Sequence, residues 1–189
     1  AAATARWSAC GSTTSAPKDS CSARKGSSVS LALAIPREPA VRSAAGADRI
    51  SFHPEVVGDS GEVIAHLKEL GVGAGMAVHP DVDVEVIVPH LEALDVVLMM
   101  TVRPGFGGQS FLHQVVPKIR RAAELLYGAG GGADIEVDGG VNLTTVDEAV
   151  DAGGQILVAG SAVFDGTDAV AAAKRMRERL DHLERGEDG

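Results

Sequence analysis

Val96-Val97-Leu98-Met99-Met100-Thr101-Val102-Arg103-Pro104-Gly105-Phe106-Gly107-Gly108-Gln109 is a nearly unbroken apolar run that ends in a glycine-rich turn. A run of that length without polar alternation fits a strand covered on both faces, the habit of parallel sheets. Four similar runs lie around it, at 49–53 (RISFH), 74–79 (AGMAVH), 133–138 (ADIEVD) and 155–160 (QILVAG). Amphipathic stretches separate them. Val63, Ile64, Leu67 and Leu70 follow Asp59 and Glu62, a capping-box start for a helix. Leu112, Val115, Val116, Ile119 and Leu126 mark a second helix, and Val146, Ala149 and Val150 a third that Gly153 closes. Val170, Ala173, Met176, Leu180 and Leu183 trace a last one behind Thr167. Asp83 to Leu94 is periodic too, but Pro89 shortens or kinks it. Strand and helix in alternation predict an α/β fold with a parallel sheet. Right-handed crossovers leave an open doubly wound sheet or a (β/α) barrel, and periodicity does not choose between them.

Residues able to do chemistry fall at the C-terminal tips of these strands: His53, His79, Arg103, Asp138 and, after the last strand, Ser161. In parallel α/β folds the loops converge on that rim and active sites form there. Taken singly, a His at a strand end is more often structural and an Asp at a strand–helix junction is usually an N-cap. The glycines add weight. Pro104 to Gln109, Asp138-Gly139-Gly140-Val141-Asn142 and Ala159-Gly160-Ser161 all leave strand tips and are read as entering helices. Glycine lets backbone N–H groups approach an anion closely, and helix N-termini favour negative charge. One such loop is a tight turn; three neighbouring ones point to a phosphate-bearing substrate. No Gly-Lys-Ser/Thr follows any of them and no GxGxxG is present, which argues against a nucleotide cofactor.

The 189 residues suit one domain. Lys plus Arg number 17 against 26 Asp plus Glu, a formal charge of −9 that argues against nucleic-acid and anionic-membrane surfaces. No apolar run approaches the ~20 residues of a bilayer crossing. Cys10 and Cys21 make neither a disulfide framework nor a metal-ligand spacing. A soluble, cytoplasmic chain is the expectation. Its two ends differ: residues 1–48 carry +3 and residues 49–189 carry −12. Residues 1–43 are Ser- and Ala-rich without helical or strand period, and are expected to form an irregular leader ahead of a domain at 44–189. An organelle transit peptide is the lesser reading of that leader.

Ile50-Ser51-Phe52-His53-Pro54-Glu55, Met100 to Phe111, Val137-Asp138-Gly139-Gly140-Val141-Asn142 and Leu157 to Phe164 resemble the ribulose-phosphate 3-epimerase family, in order and spacing, over about residues 44–180. The resemblance implies a TIM-barrel type parallel sheet. The five runs would be the fourth to eighth of its strands, hence an incomplete barrel of five βα units. It also implies an isomerase of the pentose phosphate pathway that interconverts D-ribulose 5-phosphate and D-xylulose 5-phosphate. Two carboxylates exchange the C3 proton through an enediolate, beside a divalent metal (zinc, or iron, manganese or cobalt). By position, His53 matches a metal ligand that touches substrate, and Asp138 matches the ligand that is also a catalytic acid. Met100 matches a pocket-lining methionine. Gly105, Phe106, Gly107, Gly108, Gly139, Gly140, Gly160 and Ser161 match the phosphate cradle. The implied partner is a small sugar phosphate, with a homo-oligomer possible and no nucleic acid or membrane.

The sequence also departs from the family. The family's first three strands bring a Ser, a His-x-Asp segment and an Asp-x-His-Leu-Met segment, and residues 1–48 contain none of them. One ligand histidine and one catalytic aspartate therefore have no counterpart. His79 and Arg103 each stand where the family usually has Asn. Alternative readings are a catalytically inactive sugar-phosphate-binding remnant, or an epimerase of another ketose phosphate. The Asp-x-Lys-x-x-Asp constellation of sugar-phosphate decarboxylases and hexulose-phosphate synthases is absent.

Overall fold

Each apolar run read from the sequence becomes a strand. The computed structural model describes residues 6–8, 30–33, 46–103, 105 and 108–185. Its strands are β1 (Arg6–Ser8), β2 (Ser30–Leu33), β3 (Arg49–Phe52), β4 (Gly73–Val78), β5 (Val96–Met100), β6 (Asp134–Asp138) and β7 (Ile156–Val158). The five from β3 onward are those expected. β1 and β2 come from the region expected to be irregular; strands of three and four residues are too short to show a period of two, and each is paired along the edge of a longer sheet. The remainder of the 1–43 leader lies outside the described residues.

All pairings are parallel, in the order β1-β7-β6-β5-β4-β3-β2. A doubly wound sheet places its first strand in the middle. Here the first strand lies beside the last and the others follow in sequence, which is the order of a barrel opened between β1 and β2. Curvature agrees. Arg49 on β3 and Asp134 on β6 pair at 3.3 Å although two strands lie between them. In a flat sheet three strand spacings of ~4.8 Å would hold them apart.

Alternation then gives each strand an inner and an outer face. Outward residues Met76, Val97, Met99, Ile135 and Leu157 join the main core with the helices. Inward residues Ala77, Val96, Leu98, Met100 and Val102 form a second, smaller cluster. The helices are α1 (Ser60–Glu69), α2 (Val116–Gly128), α3 (Val146–Asp151) and α4 (Ala169–Arg185). Asp59 caps α1 by accepting the N–H groups of Gly61 at 2.7 Å and Glu62 at 3.2 Å. Asp168, rather than Thr167, caps α4, with Val170 and Ala171 N–H each at 3.0 Å, because the Thr167 hydroxyl turns back to Asp165. Pro89 has the effect expected of it: Val84–His90 is a 3-10 turn instead of an α-helix.

Candidate functional site

Past the tip of β6 the chain turns sharply toward α3, and Asp138-Gly139-Gly140 makes that turn. Gly140 has φ +66°, and a Cβ there would collide with the Phe111 backbone nitrogen; one on Gly139 would come within 2.5 Å of Val102 Cγ2. Thr101, with 0% exposure, ties the end of β5 to this turn. Its hydroxyl lies 2.6 Å from the Gly139 carbonyl oxygen and 3.0 Å from that of Asp138, and its N–H donates to Asp138 O at 2.8 Å. Asn142 Nδ2 and Thr145 Oγ1 each donate to Gly140 O at 3.0 Å. The peptide carbonyls are held from both sides, so the loop has little freedom.

Around this turn lies a cavity of about 390 Å³. Its wall includes Met100, Val102 and Arg103 at the end of β5, and Gly105, Gly108 and Gln109 in the loop beyond. Asp138, Gly139, Gly140 and Val141 come from the β6 loop, and Val158, Gly160 and Ser161 from the end of β7. Most of the residues singled out from the sequence meet here, while Phe106 and Gly107 lie outside the described residues. His53 is not on the wall, and neither is His79, whose Nδ1 accepts the Asp81 N–H at 3.2 Å. A Cβ at Gly105, Gly108 or Gly160 would meet no atom within 4 Å. At Gly160 the backbone is not left-handed either, so nothing in the fold requires glycine there, and the wall is bare peptide facing open space. One expectation needs correcting: Gly160-Ser161 does not enter a helix. The Gly160 carbonyl accepts the N–H groups of Val163 at 3.1 Å and Phe164 at 2.9 Å in a single turn, and α4 begins only at Ala169. The Asp165-Gly166-Thr167 turn intervenes, with Asp165 Oδ1 accepting the Thr167 N–H at 2.9 Å.

Charge on the wall is sparse. Asp138 is half-buried, and loss of solvent pushes its carboxyl above the usual range. A carboxyl whose hold on a proton is strengthened beside a cavity suits general acid–base exchange. Glu136 points the same way from two residues earlier, 6% exposed, with Oε2 lacking a hydrogen bond among the described residues. Burial first and the Asp138 charge second push it up to about 7, against a smaller opposing pull from Arg49. Arg103 is held by Asp81, through Nε to Oδ2 at 3.2 Å and Nη2 to Oδ1 at 3.0 Å. That contact keeps the Asp81 carboxyl below its ordinary value and the guanidinium above its own. His53 is 8% exposed, and its Nδ1 lies 3.3 Å from Glu55 Oε1 without the alignment of a hydrogen bond.

His53 and Asp138 are the two metal ligands the resemblance implied. Among the described residues no group of three or more His, Cys, Asp or Glu side chains could hold a metal ion. Two donors alone do not make a metal centre. Three features near the cavity escaped the sequence reading. Glu136 was within reach, because Asp134, Glu136 and Asp138 share one face by alternation. The Asp81–Arg103 pair and the bond from Gln109 Nε2 to Arg103 O at 2.6 Å left no periodic signal, since they depend on where two loops meet. Among the described residues no helix is long and apolar enough to cross a membrane.

Comparison with known proteins places this arrangement. The chain is 44% identical over 134 residues to ribulose-phosphate 3-epimerase of Bacillus subtilis (strain 168), covering 70% of this chain and 62% of that protein. It is 47% identical over 120 residues to ribulose-phosphate 3-epimerase of Schizosaccharomyces pombe, covering 64% of this chain and 51% of the relative. The matched region therefore spans between half and two thirds of the relatives' length. In three dimensions, orotidine 5'-phosphate decarboxylase from Pyrococcus horikoshii OT3 superposes with a TM-score of 0.59 at 20% identity, over 82% of this chain and 75% of that one. At that identity the likeness speaks for the fold alone: an open sheet of the TIM-barrel type. The model of the Ribulose-phosphate 3 epimerase family matches residues 39–164, and to that family the chain belongs.

Proposed function

We propose that this chain is an epimerase acting on D-ribulose 5-phosphate. The C3–H bond breaks, its electron pair moves into the C2 carbonyl to give an enediolate, and a proton returns on the opposite face to give D-xylulose 5-phosphate. Asp138 is the acid–base group for one face. The peptide groups of Gly105, Gly108, Gly139, Gly140 and Gly160, with the Ser161 hydroxyl, receive the phosphate, and Met100 and Val158 keep water from the reacting carbons. The observation that carries this reading is Asp138: the sole acid on the cavity wall among the described residues, half-buried, its proton affinity raised, beside a wall of bare peptide. The divalent metal general to the family would find His53 and Asp138 here and no third described donor, so no step is assigned to it. A cytoplasmic, homo-oligomeric protein goes with this reading.

A second reading, sugar-phosphate binding without inversion, is favoured by the same wall, because inversion needs a second acid on the far face and only Asp138 is described there. A coupled assay from ribulose 5-phosphate to xylulose 5-phosphate separates the two. Turnover that falls at least about 100-fold in Asp138→Asn, with affinity for the sugar phosphate kept within a few-fold, supports the epimerase. Calorimetric binding without any turnover, zinc or manganese added, supports the second reading. Absence of binding overturns both.

A further inference from the structure

Among the described residues Arg103 is the one cation on the cavity wall, and its neighbours hold it there from several directions. Asp81 grips the guanidinium at two points, the geometry that fixes both position and plane. Asp81 is itself fixed. Its loop is clamped by Lys118 of α2, whose Nζ donates to the carbonyl oxygens of Pro80 at 2.5 Å and Val82 at 2.6 Å. Its own N–H is taken by His79 Nδ1 at 3.2 Å. From the other side Gln109 pins the Arg103 carbonyl at 2.6 Å. A surface arginine ordinarily surrenders rotamer entropy when a ligand immobilises it. Here the side chain remains 60% exposed yet is already held at the mouth of the cavity.

The grip of Asp81 uses the Nε–H and one Nη2–H, leaving three of the five guanidinium N–H donors for a ligand. Planar donors of this kind match the oxygens of a phosphate. The charges on the wall agree: Asp138 repels an anion, whereas Arg103 adjoins Gly105 and Gly108, where the wall is bare peptide. We propose that Arg103, positioned by Asp81, is a specificity-determining residue that donates hydrogen bonds to the phosphate of the substrate and selects phosphorylated over unphosphorylated sugars. This inference rests on the epimerase reading of the cavity, and replaces an uncharged side chain of the family pattern with a preset cation.

Calorimetric titration of the full chain with inorganic phosphate, ribulose 5-phosphate and ribulose tests it. Arg103→Gln is expected to weaken both phosphate ligands about tenfold and make their binding less salt-sensitive, leaving ribulose unaffected. Asp81→Asn, which keeps the cation but loosens it, is expected to weaken the same ligands about threefold. In an active preparation Arg103→Gln raises KM with kcat within twofold. Should Arg103→Gln fail to fold, Arg103→Lys carries the test: the charge stays, the fork is lost, and an intermediate loss is expected. Phosphate affinities within twofold of the parent chain in either Arg103 variant would overturn the inference and leave the epimerase reading intact. A parent chain that binds neither phosphate nor ribulose 5-phosphate overturns both.

Discussion

Glu136 is a carboxyl on the inner face of the sheet with an oxygen that no described residue satisfies. Its pKa rises from an ordinary 4.5 to about 7, so the folded chain holds this proton more tightly than the unfolded one. Linkage fixes the sign: from this group stability is greatest below about pH 4.5, falls as the pH rises, and levels off above about 7. The span corresponds to about 3.5 kcal/mol at most. Glu136→Gln is expected to flatten that slope and to be the more stable form at pH 8, as read from urea midpoints between pH 4.5 and 8 with a chelator present. The alternation Asp134-Ile135-Glu136-Val137-Asp138 made the position legible, since every second residue shares a face. Its missing partner was not legible, because that depends on what the other strands turn inward.

At the level of strands and helices, Asp95 joins three elements. Its carboxylate accepts the N–H of Ala74 on β4 at 2.7 Å and the ammonium of Lys68 on α1 at 2.6 Å, and its carbonyl accepts the Asp134 N–H at 3.0 Å. The two side-chain contacts differ in weight. Lys68 is an exposed partner, and Lys68→Ala is expected to cost under about 1 kcal/mol. Asp95→Ala strands the peptide N–H of buried Ala74 and is expected to cost about 1.5–3 kcal/mol. Urea midpoints at an unchanged denaturant slope would check the ranking. The elements themselves were readable from apolar spacing, as was the Asp59 cap. The Asp168 cap was displaced by one residue, since Thr167 found a nearer partner in Asp165. Gly160-Ser161 gave a false helix start because a glycine turn looks the same in sequence whether or not a helix follows it.

For the molecule as a whole, periodicity could not choose between a doubly wound sheet and a barrel; strand order and the Arg49–Asp134 pair do. The choice depends on which strands become neighbours, and a local pattern of side chains does not carry that. β1 and β2 escaped notice for a related reason: their pairing comes from the edges of β7 and β3 rather than from any pattern of their own. Deleting residues 1–45 removes β1 and β2 and is expected to uncover the edges of β7 and β3. Self-association should rise, seen as a concentration-dependent mass in light scattering.

The outermost strand has a consequence for how the chain matures. Ser30 meets Arg49 a short way downstream, whereas Arg6 is matched with Ile156, close to the opposite end. During synthesis β1 emerges ahead of every other described strand, and its mate is the last of them to be made. Closing so wide a loop is entropically slow, so docking of β1 belongs to the final stage of folding.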